Sequence, residues 1–151
     1  MYRTTTAVLF TTLALVSITG SAQAKTATQF EQLKERLLNG KPTTSITDLS
    51  QCTSQSGKMG PKFSTIGGFS IDAFQVKSEP AARISYAHKH LTVMDDGTPV
   101  IEFLQYRVFQ NDTATFKVTQ LSPVTYKPLP GTEPMLFDCP LGVGLHFVPN
   151  K

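Results

Sequence analysis

The chain has 151 residues, 14 basic and 11 acidic, for a formal charge of +3. That charge is too mild, and its lysines too scattered, to mark a nucleic-acid or anionic-membrane surface. The length suits one domain with a single core, and two cysteines without CxxC spacing exclude a dithiol redox motif.

The chain opens with MYRTTTAVLFTTLALVSITGSAQA. Arg3 gives a short positive start, Ala7 to Ile18 an apolar run, and Ala22-Gln23-Ala24 the small-x-small pattern cut by signal peptidases. The run falls short of the roughly 20 residues a membrane span needs. Residues 1–24 therefore read as a signal peptide and 25–151 as a single domain, placed in the periplasm or secreted. In such a compartment Cys52 and Cys139 are expected to pair as a structural disulfide.

Past the cleavage site, Thr28 and Glu31 form a capping box, with Phe30, Leu33, Leu37 and Leu38 at helical spacing. Gly40 and Pro42 end that helix, which is expected to lay its apolar stripe on the sheet. Strand signals follow in TSITDL, GGFSIDAFQV, a long hairpin over residues 84–109, TATFKVTQL, EPMLFDC and GVGLHFV. The class expected is α+β: one N-terminal helix packed on a curved, mostly antiparallel sheet of about seven strands, with one disulfide.

The hairpin holds His88 and His90, which share a face of an extended strand. A two-residue turn at Asp96-Gly97 would place His90 opposite Phe103, His88 opposite Gln105 and Tyr86 opposite Arg107. The alternating ATFKV segment is consistent with either face, because one extra loop residue swaps them. His-x-His supplies half of a zinc site, with Asp95, Asp96 or His146 needed to complete it. A hydrogen-bonded structural role suits His90 better, and no metal or other cofactor is expected. Elsewhere there is no G-x-S-x-G elbow, and the glycine pair of GGFS reads as a bulge or turn. Tyr86, His90, Tyr106 and Arg107 are the candidates for a recognition face.

The order of features, from a helix ending in LLNGK through TDLSQC, IGGFSIDAF, ISYAHKHLTV, PVIEFLQYRV and SPVTY to a terminal FDCPLG, resembles the VirK family of small, exported, virulence-associated bacterial proteins. By that resemblance Cys52, Gly67, Gly68, His90, Thr92, Tyr106, Arg107 and Cys139 match the family pattern, and His88 departs from it. The family carries no activity onto these residues. The function expected is a non-enzymatic exported binding or virulence-associated accessory factor, a monomer, with an unknown protein, envelope or host ligand as partner. A small metal-dependent hydrolase around His88 and His90, or an inhibitor presenting loop 53–64, is the alternative.

Overall fold

The structure, a computed structural model, describes residues 26–55 and 65–150. The expected signal peptide, and residues 56–64 of the proposed inhibitory loop, lie outside the described residues.

Helix α1 spans Gln29–Leu38. Thr28 Oγ1 accepts from the Glu31 N–H at 3.2 Å, and Gly40 takes the left-handed φ of +64° just beyond the helix. Both ends are thus set locally by the residues that signalled them. A third contact comes from far along the chain. The Asp112 carboxylate accepts from the Phe30 N–H at 2.9 Å and the Gln29 N–H at 3.4 Å. These are orphan donors at a helix start, where negative charge is favourable. Phe30, Leu33 and Leu37 are buried in the same cluster as the sheet residues.

The strands are β1 (Thr43–Asp48), β2 (Thr53–Ser54), β3 (Ile66–Ser70), β4 (Phe74–Lys77), β5 (Arg83–Val93), β6 (Pro99–Phe109), β7 (Thr113–Leu121), β8 (Met135–Pro140) and β9 (Leu145–Pro149). Between these strands every ladder is antiparallel among the described residues, but one curved sheet of about seven strands is not what forms. Among the described residues there are two sheets, a three-stranded one ordered β3-β1-β9 and a six-stranded one ordered β2-β8-β7-β6-β5-β4. The physical reason lies in GGFSIDAFQV, which is two strands instead of one. The chain leaves β3 at Ser70 and enters β4 of the other sheet at Phe74, the way strands turn the corner of a sandwich.

A second departure concerns register. The loop between β5 and β6 is one residue longer than the Asp96-Gly97 turn implies. The Met94 N–H bonds the Thr98 carbonyl at 2.9 Å, the Gly97 N–H bonds the Met94 carbonyl at 2.8 Å, and Gly97 has φ +82°. That is a three-residue turn closed by a left-handed residue. The Asp96 carboxylate accepts from the Thr98 N–H, which holds its pKa below the ordinary value. Every pair in the hairpin therefore shifts by one. His90 faces Glu102, His88 faces Leu104 and Tyr86 faces Tyr106. The β6–β7 turn repeats the device, with Asp112 at φ +56° and Val108 opposite Ala114. Two shifts of one residue cancel, so Ala114, Phe116 and Val118 return to the histidine face.

That face looks inward. Along the strands its residues form successive cross-strand rows. Ile84, Val108, Ala114 and Cys139 make the first, each at 0 or 1% exposure. Cys139 is bonded to Cys52, which follows the 3₁₀ turn Leu49–Gln51. A Cβ at Gly144 would lie 2.9 Å from the Cys52 Sγ, so a side chain there would strike the bridge.

Candidate functional site

The second inward row is aromatic. Tyr86, Tyr106, Phe116 and Phe137 sit in register on β5, β6, β7 and β8. Their successive ring centroids are 4.8, 4.5 and 5.9 Å apart, within the range where offset-stacked rings attract. Two phenol oxygens in this row need partners, and β1 provides them. Tyr86 Oη and Ser45 Oγ are 2.9 Å apart, and Tyr106 Oη and Thr47 Oγ1 are 3.0 Å apart. The hydroxyl face of β1 thus points into the molecule, with Thr43, Ser45 and Thr47 all buried. Burial raises the pKa of both phenols, that of Tyr106 to about 12. Both are therefore neutral hydrogen-bonding groups that tie the two sheets together.

Beyond the aromatic row the sheets part. The third row is His88, Leu104, Val118 and Met135, and the fourth begins with His90, Glu102 and Gln120. Here a cleft of about 600 Å³ opens, floored by Leu104, Val118 and Met135 and bounded at its inner end by Tyr106, Phe116 and Phe137. Its other wall comes from the smaller sheet through Thr47, Gly67 and Phe69. Phe69 is the hinge of that wall: its ring stacks on His88 at 4.3 Å and lies 5.6 Å from Tyr106. Gly68 is needed beside it, since a Cβ there would sit 2.9 Å from the Ser45 carbonyl oxygen.

The mouth is polar. His90 Nε2 is 3.1 Å from Glu102 Oε2, with the two side chains 43% and 28% exposed. Gln120 and Asp95 complete the rim. An enclosed apolar floor with a few convergent polar groups at one end is the usual make-up of a small-molecule site, and the volume is within the range of such pockets.

The sequence-selected residues divide. Tyr86, His90 and Tyr106 share the inward face, the tyrosines buried and His90 at the rim, while Arg107 is on the outward face and exposed. His88 and His90 have ring centroids 6.1 Å apart, and among the described residues no three His, Cys, Asp or Glu side chains are grouped to hold a metal. His146 belongs to β9 and pairs with Ile46 in the smaller sheet. The site residues that sequence reading missed include Thr47, Phe69, Glu102, Leu104, Val118, Met135 and Gln120. The signal for Val118 and Met135 was present in the alternation of ATFKV and EPMLFDC, but the facing wall with Phe69 could not be assigned until GGFS separated from the segment after it.

The comparisons with known proteins agree with this architecture. The chain matches the VirK protein family over residues 26–126. It is 32% identical over 145 residues to an uncharacterized protein of Sinorhizobium fredii, covering 96% of this chain and 97% of that one. A second uncharacterized protein, from the region 3′ of pinF2 in Rhizobium radiobacter, is 29% identical over 116 residues, 77% of each chain. The crystal structure of a VirK family protein from Legionella pneumophila superposes with a TM-score of 0.68 at 24% identity, covering 81% of this chain and 97% of that one. With a family match that takes in most of the chain and a relative that aligns along nearly all of it, the protein belongs to the VirK family.

Proposed function

We propose that this VirK protein is an exported, non-catalytic binding protein whose ligand sits in the cleft between the two sheets. On this reading residues 1–24 are removed as a signal peptide and residues 25–151 act as one domain. The observation that carries the proposal is the cleft itself, about 600 Å³ with an apolar floor and a rim of His90, Glu102, Gln120 and Asp95. Such a cavity suits a small amphiphile: an apolar body against Leu104, Val118 and Met135, and a hydrogen-bonding end at the rim. The Cys52–Cys139 disulfide supports an oxidising compartment. The rim residues offer hydrogen-bond donors and acceptors to the polar end of such a ligand.

A neutral naphthylamine dye whose fluorescence rises in apolar surroundings tests the reading. It should bind the wild-type protein saturably, and Leu104→Trp and Met135→Trp, which fill the floor from two strands, should each weaken binding at least tenfold. Unchanged thermal melts in one of the two variants would show that the fold survived. Wild-type affinity in both folded variants would refute the cleft as the binding site. Export is tested separately: N-terminal sequencing of the protein recovered outside the cytoplasm should begin at Lys25.

A further inference from the structure

The outward face of the six-stranded sheet differs from its inward face in chemistry as well as polarity. It carries Lys77 on β4, Arg83 and Lys89 on β5, Arg107 on β6 and Lys117 on β7, all by strand alternation. Among the described residues the only ion pairs are Lys34–Glu31 and His90–Glu102, so none of these five cations is neutralised by a carboxylate. The carboxylate of this face in β8 is Asp138, separated from Arg107 by Thr115 in the cross-strand row, and it is already bonded to Gln55 Nε2 at 2.8 Å.

Part of this face is concave. A depression of about 420 Å³ is lined by Gln75, Arg83, Ser85, Ala87, Gln105 and Arg107. Ser85 is directly opposite Arg107, with Gln75 opposite Ser85 on the other side and Gln105 opposite Ala87. Arg83 is two residues before Ser85, which makes the two arginines diagonal neighbours, a separation that long side chains bridge. The small Ser85, next to both arginines, and Ala87, one row further along, leave the surface beside the guanidinium groups uncovered. Two guanidinium forks, one hydroxyl and two amide side chains therefore converge on one shallow basin.

We propose that this basin binds the phosphate group of an anionic ligand. The donors exceed what the two oxygens of a carboxylate can accept. A phosphate presents three or more acceptor oxygens and about −1.5 to −2 charge near neutral pH, which matches two arginines whose planar forks suit tetrahedral oxyanions. The basin opens on the side of the sheet away from the cleft, so it is independent of the cleft ligand.

The test is an amide NMR titration of the oxidised protein with inorganic phosphate at constant ionic strength, with chloride as reference. Ser85, Gln105 and Arg107 should shift saturably with phosphate and not with chloride. Arg107→Gln and Arg83→Gln should each weaken binding at least tenfold, Lys34→Gln should leave it unchanged, and the same spectra report whether each variant is folded. Two further arms separate sources of the group. Co-sedimentation with phosphatidylcholine vesicles containing one-quarter phosphatidylglycerol, lost in Arg107→Gln, would make the phosphate a lipid headgroup. Binding of phosphate without co-sedimentation would make it a soluble ligand. Shifts that are non-saturable, spread over unrelated lysines, reproduced by chloride or retained in folded Arg107→Gln would overturn the proposal.

Discussion

Tyr106→Phe removes one oxygen from the join between the sheets. Its partner, Thr47 Oγ1, is 3.0 Å away, and the two residues are 3% and 4% exposed. Water cannot readily replace the lost partner, so the threonine hydroxyl is orphaned and the cost should be about 1–3 kcal/mol. At about 4 °C per kcal/mol for a domain of this size, the melt should fall by roughly 4–12 °C. Thr47→Val should cost a similar amount by orphaning the phenol. The double variant, with neither group left unpaired, should lose at least about 1 kcal/mol less than the sum of the singles. The pH dependence offers a second readout. Burial raises the Tyr106 pKa from 10.0 to about 12, so the folded state keeps a proton that the unfolded chain releases. The stabilisation is complete below pH 10 and is lost as pH rises through 12, an effect on the order of 2–3 kcal/mol. Tyr106→Phe should therefore flatten the alkaline limb of stability measured by urea unfolding. A loss below about 0.5 kcal/mol, additive singles, or an unchanged alkaline limb would refute the reasoning.

Asp112→Ala should destabilise by about 1–2 kcal/mol, because it removes a cap of the α1 start and leaves a non-glycine residue at positive φ. Asp112→Asn, which keeps an acceptor oxygen, should lose less in urea titrations, and a loss below about 0.5 kcal/mol in Asp112→Ala would show that the carboxylate does not hold the helix. Reduction of Cys52–Cys139, which are 87 residues apart, should lower stability by up to about 4–5 kcal/mol on chain-entropy grounds, and thiol titration of the native oxidised protein should detect no reactive thiol. His88→Ala should cost about 1 kcal/mol through its stack on Phe69, and His90→Ala less than that, since its contact with Glu102 is partly exposed at the cleft mouth. Melts with and without a chelator should coincide; a chelator-sensitive melt abolished by both substitutions would restore the metal reading.

That order of the histidines reverses what the sequence suggests, and the reversal shows where legibility ends. The helix was readable because Thr28, Glu31, Gly40 and Pro42 act within a few residues of one another. The disulfide was readable because two cysteines permit one pairing. The individual strands were readable from alternation, apart from the break at Ile71–Ala73 and the two-residue β2 at Thr53–Ser54, which the sequence assigns to a loop and which pairs with β8. Register was not, since an Asp-Gly pair serves both a two-residue turn and the bulged turn found at Met94–Thr98. Nor was the role of β1. Thr43, Ser45 and Thr47 look like a solvent face, and only the phenols on distant β5 and β6 make it an interior one. The cleft depends on both of these, so it could not be drawn from local signals.

The two three-residue turns that flank β6 have a consequence for how the chain could change by insertion or deletion. Each turn sets the phase of β6 against one neighbour. Removing one residue from the Met94–Thr98 turn alone would present Arg107 to the core and Tyr106 to solvent, or tear β6 from β7. Removing one from each turn would keep β6 in step relative to neither strand but restore β5 and β7 to each other. Length variation in this half of the protein is therefore expected as whole two-residue steps within a turn, which preserve the parity of every strand, and a family member with an odd change in one turn should carry a compensating bulge in the adjoining strand.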